Sequence, residues 1–344
     1  MKIEFKNEPI ECCFSYFYNE QFSLVVDIIR HHEIIFSRIF FHEKSKDPLP
    51  YNKYCCLPPE DKPFLAEEGN NYRANMVIND GSVTTDGKVN NENNKPLKFN
   101  VEYDNPDNHK YCFCSFEPYD RFRKGIFELY HRPSLLNRLV QLSASALNEK
   151  LLKEVFPLAQ ADFPLVTVQK VELNGNSLSL EGFKGAVAHH WGYSFPDYIF
   201  LMCNNFPNSS ETLLSLSYCR VQTAVGIELI TGYVCFWYEG VPYEFSINNL
   251  SCVIHYFAQS PGSNTPHHLV IKGCHPQDEK SITVKIFYDK KRSCDTIFSS
   301  GNCYTYFDVE VEVKYEKKDK CIITETKEAK GTKAILDVKG FELK

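Results

Sequence analysis

The chain has 344 residues, 43% of them hydrophobic and 24% charged, with a formal net charge of −6 at pH 7. That length suggests about two domains, and a negative balance with no clustered basic stretch argues against a nucleic-acid or anionic-membrane partner. Aromatic residues reach 14%, and the 26 Phe and 20 Tyr far outnumber the 3 Met, a bias that favours pleated surfaces and large apolar contacts.

Met1 to Glu8 alternates charged and apolar residues where a secretory leader needs an unbroken apolar core. No run of about 18 apolar residues follows anywhere, so no transmembrane helix is expected and the chain reads as cytoplasmic. In that compartment the 14 cysteines read as free thiols rather than a disulfide framework. Cys12-Cys13, Cys55-Cys56 and Cys112-Phe-Cys114 lack zinc-site spacing, and adjacent strand residues face opposite ways, so no metal is expected. His31-His32 and His267-His268 meet the same objection and read as loop histidines.

Phe14, Tyr16, Phe17, Tyr18, then Ile28-Ile29, Ile34-Ile35-Phe36 and Ile39-Phe40-Phe41 read as strands. Between residues 70 and 100, Asn79-Asp80-Gly81 and Asn90-Asn91-Glu92-Asn93-Asn94 predict turns and a mobile loop. After Arg132-Pro133, the apolar series Leu135, Leu136, Leu139, Val140, Leu147, Leu151 and Val155 keeps helical spacing until Pro157. A helix near 134–156 is therefore expected, as a connector or as a lid packed over a barrel mouth, closing an N-terminal β domain over 1–160.

A second β domain is expected over 161–344. Asn174-Gly175 between Val171-Leu173 and Leu178-Leu180, and Glu239-Gly240 between Tyr233-Tyr238 and Val241-Phe245, are hairpin signals. Ile282, Val284, Ile286 and Tyr288 alternate with their neighbours, as do Phe307, Val309, Val311, Val313 and Tyr315. Lys317-Lys318-Asp319 then reads as a turn and Ala334 to Leu343 as a closing strand. Short strands with turn signals at this spacing predict a mainly β sandwich or barrel.

Residues 185–206 carry the most chemistry: a His189-His190 pair, one of only 2 tryptophans at Trp191, and a turn between two strand-like runs. His190-Trp191-Gly192, Ser194-Phe195-Pro196 and Cys203-Asn204 at this spacing resemble the tocopherol cyclase-like family. The likeness is densest over about 165–255, where Val171-Glu172-Leu173-Asn174-Gly175 resembles the preceding strand and turn. Gly232 to Glu244, with Phe236-Trp237-Tyr238, resembles the hairpin that follows.

The resemblance implies two lipocalin-like antiparallel β units, joined here by the predicted helix, around an apolar cavity. It implies proton-initiated cyclisation of a prenylated hydroquinone to a chromanol, an isomerase-type reaction that uses no cofactor. Such chemistry asks for a proton donor, here His190 or His189, and for aromatic faces that steady a cation. Trp191, Tyr193, Phe195, Phe200, Phe236 and Trp237, with Asn204, are the candidate ligand contacts. Adjacent on a strand, His189 and His190 are expected to face opposite sides.

The sequence also departs from the family pattern. Ala188 stands where a Glu is usual, His190 where Asp or Asn precedes the tryptophan, Phe200 where a tryptophan is usual, and Met202 where a glutamine is. Two readings follow: an isoprenoid-quinol cyclase, or a catalytically silent relative that carries a lipid or isoprenoid or serves as a structural subunit of a larger assembly.

Overall fold

A computed structural model describes residues 10–31, 34–43, 52–56, 64–68, 71–78, 82–83, 89–90, 97–104, 111–114, 158–173, 176–179, 181–192, 196–207, 209–222, 228–246, 251–258, 268–275, 278–289, 292–298 and 301–341. The segment expected to be helical, 134–156, and most of the Asn-rich stretch lie outside them. The strands, in chain order, are β1 (Ile10–Tyr18), β2 (Phe22–His31), β3 (Ile34–Glu43), β4 (Asn52–Cys56), β5 (Phe64–Glu68), β6 (Asn71–Ile78), β7 (Ser82–Val83), β8 (Val89–Asn90), β9 (Leu97–Asp104), β10 (Tyr111–Cys114), β11 (Leu158–Leu173) and β12 (Asn176–Ser177). They continue as β13 (Lys184–Gly192), β14 (Asp197–Cys203), β15 (Leu213–Gln222), β16 (Glu228–Tyr238), β17 (Val241–Ser246), β18 (Cys252–Ala258), β19 (His268–His275), β20 (Lys280–Phe287), β21 (Ser293–Phe298), β22 (Gly301–Asp319) and β23 (Ile322–Lys339). The protein is mainly β, as the alternation predicts, and among the described residues no helix is long and apolar enough to cross a membrane.

Two large antiparallel sheets carry the fold. The first runs β4-β3-β2-β1-β13-β11-β9-β6-β5, the second β17-β16-β15-β14-β23-β22-β20-β19-β18. β11 and β13, which follow residue 157, pair within the first sheet, where Ile10 lies opposite Gly192. The second sheet curls until its edges approach, and Ser251 N donates to Ser246 O at 2.9 Å.

Period-two alternation gives each strand of the second sheet two faces. Ile199, Leu201, Leu214, Leu216, Val234, Phe236, Ile282, Val284, Ile286, Val309, Val311 and Val313 fill the concave side and are buried. Each such side chain contributes about 1.5–3 kcal/mol of transfer free energy. The outward face is covered as well. Phe200, Met202, Phe307 and Ile335 pack against Phe14, Tyr16, Tyr18, Ala186 and Ala188 of the first sheet. The two alanines leave room for aromatic rings, and Phe14 meets Phe200 edge-on at 5.5 Å. This contact layer is the seam between the sheets.

Two local expectations need correction. Phe307 does not share a face with Val309, because the β22–β23 register shifts between Tyr306 and Val309, with Asp308 at φ 53°. The bulge turns Phe307 into the seam and Val309 into the core. The turn read at Lys317-Lys318-Asp319 falls instead at Lys320-Cys321, both with positive φ, and β22 continues to Asp319. Glu239 and Gly240, at φ 52° and 79°, do form the predicted tight turn between β16 and β17.

Candidate functional site at the seam

β13 presents Ala186, Ala188 and His190 to the seam and Val187 and His189 to the opposite side, so the two histidines part as alternation requires. At the Gly192 end of that face the titratable side chain is His190. Its ring rests edge-on against Phe200 at 4.9 Å. Its Nε2 is buried without a hydrogen-bond partner and stands 3.9 Å from Asp162 Oδ1. Burial, reinforced by His189 and opposed by Asp337, pushes its pKa down to about 3. The ring is therefore neutral at neutral pH, a state suited to accepting a proton rather than delivering one.

Asp162 comes from β11, directly across the ladder from Ala188. Asp162 therefore shares the face of Ala188. Asp162 is fully buried, and its Oδ2 accepts from Ser215 Oγ at 2.5 Å and from Tyr233 Oη. Both donors sit on the outward face of the second sheet. A buried carboxyl group without such donors costs several kcal/mol, so the pair explains how this one is tolerated.

A second carboxylate flanks the ring. Asp337 lies opposite Phe200 in the β14–β23 ladder and is 3% exposed. It accepts from Tyr198 Oη at 2.8 Å, Thr305 Oγ1 at 2.5 Å and Cys303 Sγ at 3.4 Å. The ring therefore stands among two hydrogen-bonded carboxyl groups and one aromatic face.

The remaining sequence candidates separate. Asn204 clamps the sheets together: its Nδ2 donates to Pro164 O and Gly185 O at 2.9 Å each, and its Oδ1 accepts from Tyr18 Oη. Pro164 sits where the β11–β13 register shifts, so the amide satisfies carbonyls near the break in the ladder. Phe236, expected to face a cavity, is fully buried in the packed concave core, which makes it a core residue. Trp237 joins Leu213, Tyr233, Cys235 and Leu165 in a separate patch of the seam. Trp191 lies opposite Glu11 and Ala159 in the ladder, with its side chain outside the described residues, as are Tyr193 and Phe195.

Neither a protein-family model nor a curated protein matches the sequence. Solved structures do match it. The fold resembles that of CghA. The crystal structure of CghA with Sch210972 covers 97% of this chain and 89% of its own, with TM-score 0.50 and 8% identity. A second CghA crystal structure covers 97% and 88%, with TM-score 0.47 and 8% identity. At that identity the likeness shows the fold alone.

Sequence reading missed Asp162, Ser215, Tyr233, Tyr198, Thr305 and Asp337. Leu213-Leu214-Ser215-Leu216-Ser217 reads as a strand with one wet face, and only the approach of the first sheet makes that face dry. Cys12, Cys203, Cys219, Cys235 and Cys303, all buried, and the exposed Cys321 are in no disulfide. Among the described residues no cluster of three or more His, Cys, Asp or Glu is placed to hold a metal ion. An open, charged surface pocket of about 590 Å³ at Asp278, Lys280, Lys317 and Thr324 lacks the enclosed aromatic character expected of a prenyl site.

Proposed function

We propose that the seam binds an apolar small molecule with a neutral polar head, an isoprenoid quinol or a similar lipid, in a protein of tocopherol cyclase-like kind. One observation carries this reading. His190 Nε2 is a desolvated, unpartnered acceptor beside Asp162 and Phe200, in a layer that packing alone would fill with apolar groups. A ligand hydroxyl donating to the ring nitrogen would satisfy it, and Phe14, Phe200 and Met202 suit its tail. A small molecule accompanies CghA in one structure of similar fold, which supports a ligand here.

Cyclisation is the second reading, favoured by the Asp162–His190 pair. In it Asp162, carrying a proton on Oδ1 while Oδ2 accepts from Ser215 and Tyr233, gives that proton to the alkene and the phenol proton goes to His190 Nε2, so no electrons are gained or lost. Transfer between the two groups, 3.9 Å apart, would reset the site.

The test titrates the purified chain with prenylated hydroquinones, following fluorescence of its 2 tryptophans and chromanol formation by mass detection. Binding that weakens in His190→Gln without chromanol supports the binding reading, and chromanol that disappears in that variant supports cyclisation. Failure to bind any member of the panel would sink both and leave a structural role.

A further inference from the structure

Lys339 is only 3% exposed, unusual for a lysine. It lies on the seam-facing side of β23, two residues beyond Asp337 and so about 7 Å along the strand. Its ladder neighbours are Tyr198 on β14 and Cys303 on β22. Nζ reaches the Pro196 carbonyl at 3.4 Å. Tyr198 Oη, next to it, donates to Asp337 and contacts Cys303 Sγ at 3.3 Å. The amine thus sits at one end of the polar row that runs past Phe200 to His190.

We propose that Lys339 is a covalent attachment site that condenses with the aldehyde or ketone of an apolar ligand entering the seam. The amine nitrogen adds to the carbonyl carbon, and the carbonyl oxygen takes up the proton to give a carbinolamine. Loss of water then forms the carbon–nitrogen double bond. One amine and one carbonyl yield one imine and one water, with no change of oxidation state. Three features suit the site to this chemistry. Burial lowers the lysine's basicity, against the opposing pull of Asp197 and Cys303, and so leaves more free amine at neutral pH. The Tyr198 hydroxyl, on the residue across the ladder from Lys339 and bonded to Asp337, is the neighbouring group that can exchange a proton with the carbonyl oxygen. The dry seam disfavours hydrolysis of the imine once formed.

Access depends on the seam admitting a ligand, the reading proposed above, so the experiment separates the two. The full chain is incubated with farnesal, an isoprenoid aldehyde, and sodium cyanoborohydride, which reduces an imine to a stable amine. In parallel, farnesol, which lacks the carbonyl, is followed by tryptophan quenching and native mass spectrometry. A single adduct mapping to the Lys339 peptide is expected, absent from Lys339→Arg and formed on the order of a hundredfold more slowly in Tyr198→Phe. Peptide mapping of the unmodified sequence keeps the test valid even where a variant fails to fold, and Lys184→Arg serves as the control lysine. Farnesol binding with labelling absent from Lys339, or spread over exposed lysines such as Lys330, would overturn the attachment site and leave the seam reading standing. The absence of both farnesol binding and an adduct would overturn both.

Discussion

Acid should find the seam before it finds the core. His190 has its pKa pushed from 6.5 to about 3 by burial, with His189 adding to the effect and Asp337 resisting it, while Asp162 faces the ring at 3.9 Å. A histidine whose folded pKa lies below its unfolded value binds its proton more readily in the unfolded chain. Its neutral form costs nothing above pH 6.5, and stability falls as pH drops from there towards 3. The full shift corresponds to about 5 kcal/mol, of which about 2 kcal/mol is lost between pH 7 and pH 5. Replacing His190 by glutamine keeps a polar side chain of similar reach and removes the titration. Urea unfolding of both chains at pH 7, 6 and 5 should show the wild type losing about 2 kcal/mol more than His190→Gln over that interval. The other 10 of the 11 histidines are common to both chains. Equal losses would mean that the folded ring takes up its proton freely, and the account of a desolvated, unpartnered Nε2 would be wrong.

Two further substitutions separate clamp from core. Asn204→Ala removes two donated bonds and one accepted bond that join β1, β11 and β13 to the end of β14, and should cost about 3 kcal/mol in urea unfolding at pH 7. A cost under about 0.5 kcal/mol would show that water replaces the amide, as at an ordinary surface site. Phe236→Ala empties part of the concave core and should cost about 3–5 kcal/mol while leaving the affinity for a seam ligand unchanged under conditions where the chain stays folded. A loss of affinity equal to that of Phe200→Ala would place the ligand inside the curled sheet instead.

The features legible in the sequence are those set by neighbours in the chain. The Glu239-Gly240 turn follows from local backbone preference. The alternation of Ile282, Val284 and Ile286 follows from a period of two and a single apolar core, and those residues are buried. Pairings between distant segments carry no such signature. Nothing near residue 10 announces that β1 will lie against β13, or that β11 will bring Asp162 across from Ala188. Asp308 hides a bulge because its side chain resembles any solvent-facing acid, although its positive φ re-aims Phe307. His190 was visible as chemistry, but its neutrality depends on burial by a second sheet. Phe236 and Phe200 look alike in sequence, and only the choice of strand face sends one to the core and the other to the ring of His190.

The second sheet solves the same burial problem twice, in different ways. Its concave face is closed with aliphatic and aromatic side chains, a solution that costs no unsatisfied polar group. Its outward face, equally dry, holds Ser215, Ser217, Thr305, Asp337 and Lys339, and meets Asp162 and His190 from the first sheet. An apolar outward face of the same shape would be the more stable choice, because buried carboxylates cost several kcal/mol before their hydrogen bonds offset it. The donors around Asp162 and Asp337 reduce that cost, yet they leave His190 Nε2 without a partner. A seam that served only to hold two sheets together would gain from losing these groups. Their concentration around one unpartnered acceptor, beside a ring face and a buried amine, is the physical reason to look for a ligand there rather than in either sheet's interior.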